Sequence, residues 1–298
     1  VSTPAPLLPV LAAAATGVQV GAAIVATRFV VDLVEPVPLA FLRYALGFAC
    51  LLPPALLALP RLRAAAAGRW RDLLPLTLLG VAQFALVVVL LNYGLRHIPA
   101  ARAALLFATL PLLTLAVAAA LGRERATAAK LLGVLLTLAG VAVALGPEVL
   151  RRGLDPTGWA GEAAVLGAAL AGAVCSVLYQ PYLRRWPVLP LGAYAMLASV
   201  AVLGVLAAAR GFFAQVPTLP AEAWAAVLFV GASSGLGYWL WLWALRHSSP
   251  TRVTVFLSLS PVTAALLGAL LLGEPVTPAA VAGFACIALG LRVAFRGG

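Results

Sequence analysis

"GLRHIPAAR", residues 94–102, and "ALRHSSPTR", residues 244–252, interrupt a very apolar chain with the same polar pattern. Leu-Arg-His recurs at an offset of 150, and a second arginine follows the first by six positions in each copy. Downstream the offset holds without a gap: Pro111 meets Pro261, Glu124 meets Glu274, Thr127 meets Thr277, Gly133 meets Gly283 and Gly140 meets Gly290. Upstream it becomes 151, pairing Gly21 with Gly172 and Pro36 with Pro187. Ala and Leu matches mean little in this composition, whereas Arg, His, Pro and Glu matches carry weight. The chain therefore reads as two similar halves, 1–148 and 149–298.

Hydrophobic residues fill 64% of the 298 positions and charged residues only 10%, with a mean hydropathy of +1.08. Soluble domains keep about a quarter of their residues charged, so this is the composition of a polytopic membrane protein. A helix needs about 20 apolar residues to cross ~30 Å of hydrocarbon. Cutting the chain where charges, Pro and Gly cluster leaves ten such runs, roughly 9–31, 37–59, 73–94, 99–121, 127–146, 159–180, 190–209, 223–245, 250–272 and 276–295. Strands are excluded because the runs are too long and lack alternation, and backbone groups in lipid must be satisfied within a helix or a closed barrel. Residues 1–9 carry no Lys or Arg to serve as the basic region of a signal peptide, so the first run reads as helix one.

The expected fold is all-α and integral to the membrane, ten transmembrane helices forming one membrane domain. Each half holds five, an odd number, so the second half must enter the bilayer upside down relative to the first. Inverted five-helix repeats of this kind characterise secondary transporters, whose substrate site lies near the midplane between the halves.

A net charge of +11 is one that nucleic-acid binding favours, but the placement of the 20 Lys and Arg argues otherwise. With a cytoplasmic N-terminus, thirteen fall in inside segments, among them Arg61, Arg69, Arg123, Arg184, Arg246 and Arg292, and six in outside ones, Arg28, Arg96, Arg102, Arg151, Arg152 and Arg210. That bias puts both termini in the cytoplasm of a multi-pass protein of the cytoplasmic (inner) membrane. Attraction to anionic lipid accounts for the rest of the charge, and no nucleic-acid partner is expected. Trp70, Trp159, Trp186 and Trp224 lie at predicted helix ends, as interfacial anchors would. Cys50, Cys175 and Cys286 fall inside apolar runs and behave as small hydrophobes. No metal or cofactor motif is present.

"NYGLRHIPAARAALLFATLPLLT" with "LGRERATAAKLLGVLLTLAG", and again "LWALRHSSPTRVTVFLSLSPVTAALLGALLLGEPVTPAAVAGFACIALG", resemble the two signatures of the EamA-like branch of the drug/metabolite transporter superfamily. The resemblance covers nearly the whole chain. The first copy departs from the pattern at Arg123, which separates Gly122 from Glu124. Within the branch, the tryptophan-rich eighth helix and the lack of membrane carboxylates look most similar to the YddG-type exporters of amino acids. The resemblance implies a substrate site between helices one, three, four, six, eight and nine.

Candidate substrate-binding residues are the few polar groups at midplane depth with their aromatic neighbours: Gln19, Gln83, Phe84, Thr109, Ser233, Ser234, Tyr238, Trp239 and Ser258. Thr16, Gln19 and Ala23 share one face of helix one, and Ser234, Tyr238 and Trp241 one face of helix eight. Ser and Thr also serve as glue between membrane helices, bonding their own backbone or a neighbour. Arg96 with His97, and Arg246 with His247, end helices three and eight. There they act either as anchors at the negative end of the helix dipole or as a gate, since histidine titrates near neutrality. Thr127 and Thr277 are N-caps of helices five and ten. Pro111 and Pro261 are mid-helix, where each frees a carbonyl at Phe107 or Leu257, and equivalent kinks are candidate hinges.

"GASSG", 231–235, matches the hydrolase pattern G-x-S-x-G, but that elbow needs a strand-turn-helix with a base nearby, and here it is mid-helix. An intramembrane hydrolase using Ser233 is thus a poor alternative, and no catalytic residue is assigned. No Asp or Glu sits near the centre of a predicted helix, which disfavours a proton-driven drug exporter. Arg43, the one basic residue well inside a run, has Asp32 and Glu35 as possible partners. One arginine is not the basic cluster that sugar phosphates require. The expected function is facilitative export of neutral or aromatic amino acids and related small metabolites by a monomer or homodimer.

Overall fold

The computed structural model describes residues 7–31, 33–66, 69–98, 103, 106–152, 158–214, 218–272 and 277–296, and all regular structure among them is helical. In chain order the helices are α1 (Leu7–Arg28), α2 (Pro36–Leu57), α3 (Trp70–His97), α4 (Leu110–Ala120), α5 (Ala128–Arg152), α6 (Trp159–Leu183), α7 (Val188–Ala209) and α8 (Ala221–His247). Next comes α9, made of Pro250–Val255, a 3-10 turn Phe256–Ser258 and Leu259–Leu272, and then α10 (Pro278–Arg296). A short surface helix, Leu59–Ala66, joins α2 to α3 and has no counterpart in the sequence reading. Among the described residues seven helices, α1, α2, α3, α6, α7, α8 and α9, are long and apolar enough to cross a membrane, while α4, α5 and α10 contain shorter apolar segments.

The repeated Leu-Arg-His closes two helices by one device. His97 Nδ1 donates to the Tyr93 carbonyl at 2.8 Å, and His247 Nδ1 to the Trp243 carbonyl at 2.8 Å. Each bond adds a second donor to a carbonyl of the last turn and folds the imidazole back along its own helix. The imidazoles lie beside the aromatic residues four positions earlier, with ring centroids 4.2 Å apart at Tyr93 and 4.3 Å at Trp243. Arg96 and Arg246 are exposed. Pro250 then opens α9 at its first turn, where a missing N–H costs nothing; Pro99 and Arg102 lie outside the described residues.

The prolines break their helices more sharply than a mid-helix kink. Leu106 and Phe107 are helical, Ala108 and Thr109 form a turn, and α4 restarts at Leu110 with Pro111 in its first turn. In the second half the 3-10 turn Phe256–Ser258 occupies the matching place ahead of Pro261. The cause is the same: the ring blocks the carbonyl four residues back, and the helix renucleates at the proline. Thr109 bonds the Leu106 carbonyl twice, through its N–H at 3.1 Å and its Oγ1 at 2.7 Å, which closes the turn.

Packing pairs the halves. The first helix of each half lies against the third membrane helix of the other, α1 on α8 and α6 on α3, while α2 packs on α7 and α5 on α10. Small residues permit this: a Cβ on Gly140 would lie 2.7 Å from the Gly283 carbonyl oxygen, and one on Gly133 2.5 Å from Ala294 N. Gly140 facing Gly283 and Gly133 facing Ala294 mean that α5 and α10 run antiparallel. So do α2 and α7, with Phe41 against Gly204 and Gly47 against Met196. Outward the bundle exposes large apolar side chains such as Leu11, Leu78, Leu135, Leu170, Val205 and Leu236, a surface that requires lipid.

Thr127 and Thr277 cap α5 and α10, accepting from Lys130 N at 3.3 Å and Ala280 N at 3.1 Å. Glu124 works differently. Its Oε2 pairs with Lys130 Nζ at 2.8 Å, and its Oε1 accepts from Thr251 N at 3.1 Å, tying the α4–α5 turn to the start of α9. Glu274 lies outside the described residues. Trp186 is no interfacial anchor: it is 2% exposed, and its indole N–H donates to the Asp72 carboxylate at 3.0 Å.

Candidate functional site

A cavity of about 120 Å³ lies where α1, α2, α3, α4, α6, α8 and α9 converge. Its lining on α1 runs from Thr16 to Thr27 and on α3 from Gln83 to Leu95, so it extends from mid-depth toward the C-terminal ends of both helices. A chain of buried rings crosses the bundle beside it. Tyr44 and Phe84 are 4.8 Å apart between centroids, Phe84 and Tyr238 4.0 Å, and Tyr238 and Tyr179 6.4 Å. Edge-on contacts of this kind fix ring orientation as well as exclude water.

Gln83 and Phe84 reach the cavity from an irregular stretch. Residues Val81–Leu86 form a π-helical turn inside α3, an irregularity of the kind that recurs at functional sites. Ser199 Oγ, from α7, donates to the Gly80 carbonyl at 2.6 Å, and Gly80 itself packs directly on Ala195. Gln83 Oε1 is buried with no hydrogen-bond partner, while Asn92 Nδ2, further along α3, donates to the Pro36 carbonyl at 3.2 Å.

On α1, Gln19 Nε2 donates to Ser233 Oγ at 3.3 Å, and Thr16 Oγ1 donates to the Ala12 carbonyl at 2.9 Å. The absence of a side chain at Gly237 makes room for Gln19: an added Cβ would lie 2.8 Å from its Cδ. Gly237→Ala should therefore displace the Gln19 amide, since the atoms its Cβ meets are all in that flexible side chain. Fold stability should change little, while substrate affinity falls about tenfold, the worth of one hydrogen bond of ~1.4 kcal/mol. Counterflow KM set beside equilibrium unfolding in mixed micelles checks the separation.

Arg43, on α2, is the charged side chain among the described residues of the cavity wall. Its Nε donates to Ser234 Oγ at 2.8 Å, Ser234 donates in turn to the Val230 carbonyl at 2.5 Å, and the guanidinium carbon lies 5.5 Å from the Tyr44 ring centroid. The partnership with Glu35 considered from sequence is not formed, because Glu35 pairs with Arg210 at 3.4 Å on the exposed surface. Asp32 lies outside the described residues.

Of the nine sequence candidates, the fold places Gln19, Gln83, Phe84, Ser234 and Tyr238 in the cavity wall. Ser233 stands just behind it, bonded to Gln19. Thr109 and Ser258 sit at the two helix breaks and are absent from the wall, where Phe107, Leu110 and Leu257 take their places. Trp239 also lies outside it and packs partly buried against the core, whereas Trp241 lines the cavity. Helical geometry gives the reason: Trp241 is three residues from Tyr238 and shares its face, and Trp239 is only one residue away. Sequence reasoning missed Arg43, Tyr44, Asn92 and Ser176, together with the whole contribution of α2. A lone arginine inside an apolar run was the available signal.

Ser233 has no catalytic surroundings. Its hydroxyl is bonded by Gln19 and donates to the Val230 carbonyl at 3.3 Å, and both histidines are engaged at helix ends. Among the described residues no three His, Cys, Asp or Glu side chains gather as metal ligands would.

Comparison with known proteins agrees with this architecture. The profile of the EamA-like transporter family matches residues 7–146 and again 159–296. An "Uncharacterized transporter" of Archaeoglobus fulgidus is 26% identical over 279 residues, covering 93% of this chain and 94% of that one. A "Probable terminal-alkyne amino-acid exporter" of Streptantibioticus cattleyicolor is 32% identical over 230 residues, covering 76% of this chain and 75% of the relative. A crystal structure of a chain 23% identical superposes over 96% of both chains with a TM-score of 0.76, a likeness of fold. Matched twice and over nearly its full length, this chain belongs to the EamA-like transporter family and is a multi-pass membrane transporter.

Proposed function

We propose that this protein exports neutral and aromatic amino acids and related small metabolites across the cytoplasmic membrane by facilitative alternating access. The cavity carries the reading. It lies between helices of both halves and combines a largely apolar wall with a few amides, hydroxyls and one guanidinium. The relative from Streptantibioticus cattleyicolor, a probable amino-acid exporter, supports the substrate class.

The transport cycle follows from the architecture. Ten crossings divide into inverted halves, 1–148 and 149–298, with both termini in the cytoplasm; the antiparallel contacts of α2 with α7 and of α5 with α10 support the inversion. In that orientation the cavity faces outward, since it extends toward the C-terminal ends of α1 and α3. Rocking at the paired breaks near Pro111 and Pro261 exchanges this state for its inward counterpart. The working unit is a monomer or a homodimer.

No Asp, Glu, His or Lys is among the described residues of the wall. Proton coupling through a membrane carboxylate is correspondingly disfavoured. Proteoliposome counterflow with a panel of labelled amino acids tests the reading. The expected result is exchange of neutral and aromatic amino acids at a rate indifferent to an imposed proton gradient. Strict dependence on the gradient would overturn the facilitative mechanism.

A further inference from the structure

We infer that Arg43 is the carboxylate anchor of this cavity and that Gln83 Oε1 receives the substrate's ammonium, so the cargo is bound as a zwitterionic α-amino acid. This rests on the amino-acid reading above and narrows it. A guanidinium inside a membrane bundle is expensive to keep without an anion. Among the described residues no carboxylate meets Arg43, since Glu35, Asp72 and Glu124 pair with Arg210, Arg185 and Lys130.

The group is nevertheless held in place. Ser234 is fixed by the Val230 carbonyl and accepts from Nε, and Tyr44 lies beside the guanidinium. With Nε engaged, the two terminal nitrogens remain for a ligand, and their parallel N–H bonds match the two oxygens of a carboxylate.

Gln83 supplies the complementary group. Gln83 lines the same cavity and its Oε1 is buried without a donor, a costly state that turning the amide toward a bound ammonium would relieve. Arg43 and Gln83 both line this cavity, reached from α2 and α3. Val87, Leu91, Phe107 and Trp241 form an apolar region for the side chain of the substrate. One cation balances one carboxylate, which excludes phosphate esters and dicarboxylates as preferred cargo.

The test uses the purified 298-residue chain and its intrinsic tryptophan fluorescence, to which Trp241 in the wall contributes. Ligands are L-phenylalanine, L-phenylalaninamide, which lacks the carboxylate, and 3-phenylpropionate, which lacks the amine. The amino acid should bind wild type at least about tenfold more tightly than the amide. Arg43→Gln should weaken binding of phenylalanine roughly 10- to 100-fold and remove its advantage over the amide, whereas Arg43→Lys keeps that advantage.

Elution and melting profiles check the fold of each variant. If Arg43→Gln does not fold, the wild-type comparison of acid with amide and Arg43→Lys decide the matter. Wild-type affinity for phenylalanine in Arg43→Gln, equal binding of acid and amide, or no binding by any of the three ligands would overturn the anchor. Should the anchor fall while amino-acid counterflow persists, the exporter reading survives. Conversely, Arg43-dependent binding of 3-phenylpropionate but not phenylalanine would keep the anchor and remove the amino-acid reading.

Discussion

Glu124→Ala should destabilise the protein by about 3–5 kcal/mol, the cost of removing one partner from a buried ion pair. The Glu124 side chain is 4% exposed and that of Lys130 11%, and they meet at 2.8 Å. Alanine would strand the ammonium and also leave the Thr251 N–H at the start of α9 without its acceptor. The double variant Glu124→Ala, Lys130→Met should recover much of the loss, because the stranded charge is then gone. Recovery should stop short of wild type, since the Thr251 bond is missing in both variants. Equilibrium unfolding in mixed micelles, read as a double-mutant cycle, measures the coupling. Additive losses would show that the pair contributes nothing beyond its separate parts.

Gly235→Leu should cost ~3 kcal/mol or more, the upper end of the range for an overpacked core, and abolish counterflow as well. A Cβ on Gly235 would lie 2.6 Å from the Gly47 carbonyl oxygen and 3.2 Å from Gly47 Cα, so α2 and α8 meet there backbone to backbone. No side chain can yield; the helices must separate. Ser234 is the neighbouring residue and holds Arg43 across this crossing, which is why stability and transport should fail together. Gly146→Leu is the control, since an added Cβ there meets nothing within 4 Å. Unfolding and counterflow on the two variants check the contrast, and equal tolerance would refute the close-contact account.

Much of the fold is legible in the chain because the signals are local. Leu-Arg-His marks the ends of α3 and α8, where each histidine turns back on a carbonyl of its own last turn. Thr127 and Thr277 announce α5 and α10 through the hydroxyl a helix start requires. Faces were legible too: Thr16 with Gln19, and Ser234 with Tyr238 and Trp241, line the cavity as helical spacing orders them. Trp186 was misjudged for the opposite reason, since its partner, Asp72, is distant in sequence. The short helix Leu59–Ala66 went unseen because it is too short to carry a periodic signal.

Hydrophobic run length, the duplicated punctuation and the distribution of arginines determined by themselves that this is a two-repeat helical membrane protein, because a bilayer constrains every segment independently. Only the tertiary structure decided which polar atoms face the cavity. The π turn that carries Gln83 accompanies a hydroxyl from Ser199, 119 residues away from Gly80, and Arg43 is oriented by Ser234 across a separation of 191. Whether a buried polar group is satisfied or left for a ligand depends on what packs against it, and that is a property of neighbours in space.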